Sequence, residues 1–192
     1  MIVKSGLAVL AVACGLCGMG SAQAASLSLD EKIDILVKAY PETLAGAADG
    51  KVVFRNKAET VVIDDGKARD HFQKLERGDI EDSLQQLYPA GPCEIKPARN
   101  EDPGRIRSER FFRVMYGDSA KQVQASLVGV KWFGETLRVT RVNGVNRALE
   151  DVRDELVSRS DLRKYLSPSA GVFNWRKVSG QSNLSVHSFG AA

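Results

Sequence analysis

Residues 123–157 decide the fold class, and they read VQASLVGVKWFGETLRVTRVNGVNRALEDVRDELV. Segments 123–132 and 136–142 are rich in β-forming residues and bracket a short turn at 133–135, so we predict two antiparallel strands. Asn-Gly at 143–144 then turns the chain into an amphipathic helix, with an apolar face of Val145, Leu149, Val152 and Leu156. We therefore expect an α+β fold, with an antiparallel sheet in the C-terminal half and a mainly helical N-terminal portion.

The N-terminal portion opens with a predicted helix. Ser28 and Glu31 are three residues apart, the spacing at which each side chain satisfies the other's free backbone amide at a helix start. Apolar residues then recur at helical spacing as far as Tyr40. Pro41 cannot continue the hydrogen-bonded ladder, so the helix is predicted to end there.

A small hairpin and a second helical region follow this helix. Segments 51–55 and 59–63 are short β-branched runs separated by a polar turn, which predicts two paired strands. From residue 67 to residue 87 the pattern is helical again, with an interruption near Gly78.

A loop rich in proline, glycine and charge separates two predicted regions. Residues 89–110 have a composition that buries little apolar surface, and we interpret them as a boundary. The boundary divides an N-terminal helical region with a small hairpin, residues 25–100, from a C-terminal region, residues 101–192. Within the second region, Ser160-Asp161 is predicted to cap a short helix that ends at Leu166.

The first 24 residues are predicted to be a signal peptide. Lys4 supplies the positive start, residues 6–20 are apolar and small, and Ala22-Gln23-Ala24 offers the small residues that a signal peptidase requires. The apolar run is short and rich in glycine for a membrane span of about 20 residues. We therefore expect cleavage before Ala25, a periplasmic or secreted product, and no stable membrane anchor after cleavage.

Charge and cysteine content exclude several classes of protein. The chain has 27 basic and 24 acidic residues, a balance too near neutral to indicate a nucleic-acid partner. Cys14 and Cys17 lie in the signal segment, and neither follows the residue pattern that lipid attachment requires. Cys93 alone remains, so a disulfide framework and a cysteine-rich zinc site are both excluded. We expect a monomer.

The chemistry is concentrated in residues 173–192, which read FNWRKVSGQSNLSVHSFGAA. This stretch resembles the D-alanyl-D-alanine carboxypeptidase-like zinc peptidases, a family that includes vancomycin-resistance-type carboxypeptidases and phage L-alanyl-D-glutamate endopeptidases. The first metal motif of that family is Ser-x-His-x-x-Gly-x-Ala-x-Asp, and Ser185, His187, Gly190 and Ala192 match it in register. The motif's aspartate would fall at position 194. The Phe-Asn-Trp-Arg run that precedes the motif belongs to the same likeness.

The resemblance implies a zinc metallopeptidase that hydrolyses an amide bond in peptidoglycan stem peptides, as a D,D-carboxypeptidase or a related endopeptidase. Its cofactor would be Zn²⁺, held in a cleft on the antiparallel sheet, and its partners would be peptidoglycan peptides. The family's general base and its second histidine lie in a Glu-x-x-His element well downstream of the first motif. We therefore expect residues 101–192 to be the start of a truncated peptidase domain that is inactive by itself.

Three residues of the chain are assigned roles by this likeness. His187 is the metal ligand, expected at the edge of a strand and facing the cleft, because imidazole is among the commonest partners of catalytic zinc. Arg176 corresponds to a catalytic arginine that holds a substrate carbonyl or carboxylate, with a surface arginine beside Trp175 as the alternative. Ser185 is assigned to substrate binding, with a turn-stabilising hydroxyl as the alternative. His71 matches no family motif and is interpreted as a surface or half-buried helix residue.

Two further hypotheses compete with the enzyme. One is a non-catalytic cell-wall-binding or periplasmic interaction module on the same fold that has lost the metal site. The other is an envelope structural protein in which the motif arises by chance, and it would bind no zinc even when complete.

Overall fold

The computed structural model describes residues 27–86, 98–101 and 104–191. The predicted signal peptide, Cys93, Ala192 and much of the predicted boundary loop lie outside the described residues. The described helices are α1 (Leu29–Ala39), α2 (His71–Arg77), α3 (Ile80–Ser83), α4 (Glu109–Tyr116), α5 (Ala120–Ser126) and α6 (Val145–Val157). The strands are β1 (Leu44–Ala48), β2 (Lys51–Phe54), β3 (Thr60–Val62), β4 (Leu127–Trp132) and β5 (Glu135–Thr140). The mixed α+β class is confirmed.

Helix α1 begins as predicted, with a reciprocal cap. The Ser28 hydroxyl accepts a hydrogen bond from the Glu31 amide at 3.3 Å, and the Ser28 amide donates to the Glu31 carboxylate at 2.8 Å. The Ser28 amide and the Ser28 hydroxyl both donate to the Glu31 carboxylate, and these two hydrogen bonds hold the pKa of the Glu31 carboxyl below its ordinary value. The helix ends before Tyr40, directly ahead of Pro41.

A three-stranded antiparallel sheet in the order β1-β2-β3 follows α1. The predicted hairpin is confirmed as β2 and β3, which pair Val52 with Val61. The sequence analysis missed β1, because its residues, LAGAA, carry no β-branched or aromatic side chain. The helical region after the sheet is divided into α2 and α3 at Gly78, where the interruption was predicted.

The largest hydrophobic core lies between this sheet, α1 and α4. It joins residues from both sides of residue 100, namely Ile33, Leu44, Val52, Phe54, Val61, Ile63, Ile80, Phe111, Val114 and Met115. Full burial of such a side chain contributes about 1.5–3 kcal/mol to folding. Helix α4 therefore packs directly on the N-terminal sheet.

Strands β4 and β5 form an antiparallel hairpin, as predicted, in which Trp132 pairs with Glu135. The predicted first strand is wrong at its start, because residues up to Ser126 form helix α5. Ser119 caps α5 by accepting a hydrogen bond from the Gln122 amide at 3.3 Å. Val123 is fully buried on the inner face of this helix. Burial on a helix face thus overrides the β propensity of the segment.

Helix α6 has the predicted position and packs on the β4–β5 hairpin through Leu149, but Val145 and Val152 of its predicted apolar face are exposed. The expectation for the next segment is wrong in its cap, because a 3₁₀ helix over Arg163–Tyr165 starts without a side-chain cap. The Asp161 carboxylate instead pairs with Arg159 at 2.8 Å. None of the helices in the described part of the chain has the length and apolar character that crossing a membrane requires.

Candidate functional site

The segment that carries His187 is a short 3₁₀ helix, Val186–Phe189. The expected position of His187 at the edge of a strand is therefore wrong. Ser185 caps the helix, since its hydroxyl accepts a hydrogen bond from the His187 amide at 3.4 Å. The same hydroxyl lies 3.2 Å from Nδ1 of the half-buried His187 ring. The segment from His187 to Gly190 forms one 3₁₀ turn capped by Ser185, where the edge of a strand was expected.

Gly190 ends this turn in the left-handed region, at a φ of 63°. A Cβ atom at this position would lie 2.4 Å from Cδ2 of Leu127 and 3.3 Å from the amide nitrogen of Thr140. The Gly190 carbonyl accepts a hydrogen bond from that same Thr140 amide at 2.9 Å. Only glycine combines this conformation with so close an approach to β5.

Ser188 joins the 3₁₀ helix to the chain before it, and sequence reasoning missed it. The side chain is fully buried, accepts a hydrogen bond from the Arg176 amide at 2.9 Å, and donates to the Arg176 carbonyl at 2.8 Å. The Asn174 amide donates to the His187 carbonyl at 3.0 Å. A serine among many polar residues gives no sequence signal of this role, because its partners are backbone atoms twelve and more residues away.

The backbone and the side chain of Arg176 have different surroundings. Its carbonyl accepts a hydrogen bond from the Ser185 amide at 2.9 Å, which places the Arg176 backbone directly beside the motif segment. The side chain is exposed, and its guanidinium donates to the Lys177 carbonyl at 3.3 Å. The Arg176 backbone therefore lies beside Ser185 and His187, whereas its guanidinium is at the surface, which agrees with the alternative of a surface arginine.

The residues just before the motif contact helix α2. The Asn183 side chain donates from Nδ2 to the Leu75 carbonyl at 2.8 Å. The Ser182 amide donates to the Glu76 carboxylate at 3.0 Å, and the Ser182 hydroxyl donates to the same carboxylate oxygen. These two hydrogen bonds hold the pKa of the Glu76 carboxyl below its ordinary value. His71 is the first residue of α2 and is half-buried, as expected.

Phe189 anchors the segment in the second core cluster. Its ring is fully buried and lies 5.4 Å from the Phe112 ring, 5.8 Å from the Tyr116 ring and 6.2 Å from the Trp175 ring, between centroids. Burial raises the pKa of the Tyr116 phenol far above its ordinary value. Phe189 thus belongs to the core, and Trp175 packs against it.

The acidic groups of the described residues that could hold a metal lie elsewhere, at Asp64, Asp65 and Asp79 and at Asp79, Glu81 and Asp82. Much of this charge is already paired. The buried Arg69 guanidinium lies 2.5 Å from Asp65 and 2.9 Å from Asp82, and Lys74 lies 3.3 Å from Asp82. Within the described part of the chain, His187 belongs to no group of three metal-binding side chains. These residues alone therefore do not fit a zinc ion, which requires at least three protein ligands.

No protein-family model, curated protein or solved structure matches this chain. The likeness to the zinc peptidases consequently rests on the motif residues and on the short run that precedes them.

Proposed function

We propose that this chain supplies the first zinc ligand, His187, of a peptidase that hydrolyses an amide bond in peptidoglycan stem peptides. The activity would be that of a D,D-carboxypeptidase or a related endopeptidase, exported to the periplasm or secreted. The observation that carries the proposal is the register of Ser185, His187 and Gly190.

The setting of the His187 ring supports this role. One ring nitrogen, Nδ1, is 3.2 Å from the Ser185 hydroxyl, and the described residues provide no protein hydrogen bond to Nε2. Metal-binding histidines commonly use one ring nitrogen for the metal and the other for a hydrogen bond that orients the ring. His187 is half-buried, so part of the residue remains accessible to solvent.

Arg176 and Ser185 would act on the substrate. The Arg176 guanidinium is exposed, permanently charged and planar, which suits a substrate carboxylate or carbonyl. Ser185 is buried, and its hydroxyl already caps the turn and contacts the His187 ring, so a role toward substrate would need this contact to open. Zinc held by His187 together with the further ligands would lower the pKa of a coordinated water to about 7 and polarise the scissile carbonyl.

The proposal requires at least two further ligands and a carboxylate base, which the described residues do not bring to His187. Its first test is the coding sequence beyond codon 192. An aspartate codon at position 194 and a later Glu-x-x-His element support the enzyme. A stop codon directly after codon 192 would favour the non-catalytic wall-binding module.

The second test is cleavage of a synthetic muropeptide by the protein extended to include those elements. His187→Ala should lower the cleavage rate by orders of magnitude and abolish stoichiometric zinc binding, because both depend on the ligand set. The chain contains one other histidine, so His71→Ala is the matched control and should cleave normally. Cleavage by the His187→Ala protein at the normal rate would refute the proposal.

A further inference from the structure

Helix α4 reaches the motif segment through the carboxylate of Glu109. Oε2 of Glu109 accepts a hydrogen bond from the Leu184 amide at 2.8 Å. Oε1 accepts a hydrogen bond from Nε of Arg113 at 2.8 Å and lies 2.7 Å from Nη2 of the same side chain. One half-buried carboxylate thus ties the first turn of α4 to a residue 75 positions later in the chain.

Each of the three residues before Ser185 is attached to a helix that lies earlier in the chain. Ser182 binds Glu76 and Asn183 binds the Leu75 carbonyl, both on α2, while Leu184 binds Glu109 on α4. Phe189, at the other end of the segment, packs against Phe112 of α4. Glu109 and Phe112 are three residues apart and therefore lie on the same helix face. A single face of α4 consequently holds both ends of the turn that contains His187.

We infer that α2 and α4 form the frame of the His187 site, and that Glu109 is its positioning residue. The Leu184 amide fixes the chain directly before Ser185, and Ser185 caps the 3₁₀ helix and lies beside Nδ1 of His187. Loss of the Glu109 carboxylate would release this connection and let the His187 ring change its position. The claim that this position of the His187 ring serves zinc binding rests on the proposed function. The effect of Glu109 on the ring position does not depend on that function.

The test uses the full chain labelled with ¹⁵N, and records the His187 imidazole signals and the exchange of the backbone amides from Leu184 to Gly190. A hydrogen bond to a charged group contributes about 1.5–3 kcal/mol, and about 1.4 kcal/mol corresponds to a tenfold change in an equilibrium. Glu109→Ala should therefore speed exchange of these amides about tenfold or more and shift the His187 signals. Glu109→Gln retains a side-chain oxygen for Leu184 and should restore the wild-type signals in large part.

Glu135→Ala is the matched control, because it removes another carboxylate that accepts a hydrogen bond from a backbone amide, and its partners, Ser167 and Ser169, lie outside the motif segment. It should lower thermal stability and leave the His187 signals in place. Glu76→Ala is a milder second variant, which removes the hydrogen-bond acceptor of the exposed Ser182. It should produce a smaller shift of the His187 signals, so the inference can be tested even when Glu109→Ala does not fold.

Unchanged His187 signals in Glu76→Ala and in every folded Glu109 variant would overturn the inference, as would an equal shift in Glu135→Ala. These readouts need no metal, so they separate the inference from the proposed function. Shifted signals in a protein that binds no zinc even when extended past position 194 would support the frame and refute the peptidase.

Discussion

Replacing Gly190 by alanine should destabilise the chain through two separate effects. The residue has a φ of 63°, and the added Cβ would lie 2.4 Å from Cδ2 of Leu127. Leu127 is itself buried in the cluster that contains Phe189, and the backbone amide of Thr140 limits movement on another side at 3.3 Å. The collision is therefore relieved either by forcing the buried Leu127 side chain at the start of β4 out of its position or by displacing the 3₁₀ helix from the β4–β5 hairpin.

The magnitude follows from adding these effects. A residue with a side chain in the left-handed region costs about 1–2 kcal/mol, and overpacking a buried contact costs about 1–3 kcal/mol. The free energy of unfolding should thus fall by about 2–5 kcal/mol. Gly180→Ala is the control, because Gly180 has a φ of 75° but nothing within 4 Å of the added Cβ. Gly180→Ala should lower the free energy of unfolding only by the cost of the left-handed conformation, about 1–2 kcal/mol.

Urea unfolding of both variants, followed by circular dichroism, measures the two costs on the same scale. The smaller conformational freedom of alanine in the unfolded chain affects both variants alike, so it cancels in their difference. That difference, about 1–3 kcal/mol, reports the collision alone. Equal stabilities of Gly190→Ala and Gly180→Ala would refute the argument that close approach to β5 requires a glycine here.

Three further outcomes follow from individual contacts. The Arg69 guanidinium holds the pKa of the Asp65 carboxyl at about 2. The stability that this pair contributes is therefore fully present above pH 4 and is lost as the pH falls toward 2. Arg69→Met should remove this pH dependence from urea midpoints measured between pH 2 and pH 5. Glu135→Ala should speed amide exchange at Ser169, whose amide donates to that carboxylate at 2.9 Å, and an unchanged rate would contradict it. Lys57→Met should cost about 1 kcal/mol in thermal unfolding, because its ammonium donates to the last carbonyls of α4, and a neutral result would show that water replaces it.

The elements that the sequence predicted correctly are those specified by neighbouring residues. The cap at Ser28 and Glu31, the β2–β3 hairpin and the amphipathic helix α6 each depend on contacts within about a dozen positions. The missed strand β1 and the misassigned helix α5 depend instead on burial against distant parts of the chain. Ser119 is a helix-cap signal at the start of α5, but the β propensity around Val123 favours a strand.

The candidate site shows the same division. The likeness assigned Arg176, Ser185 and His187 to one site, and the structure places the Arg176 backbone beside Ser185 and the Ser185 hydroxyl beside the His187 ring. The sequence did not predict that a 3₁₀ turn carries the histidine, or that Glu109 binds the amide before the motif from 75 positions away. A contact between a side chain and a distant backbone amide leaves no periodic pattern, so it could not be found before the fold was known.

The residues at the motif positions also differ in how far the fold itself requires them. Gly190 is required by its backbone conformation and its approach to β5, and Ser185 is required as a cap, so both would be favoured by folding alone. His187 differs, because it is half-buried and, among the described residues, its side chain has one hydrogen-bond contact, with the neighbouring Ser185. Under the proposed function, the chemical role of the motif falls on that imidazole. His187→Ala should then leave urea stability within about 1 kcal/mol of wild type, as expected for the loss of one hydrogen bond.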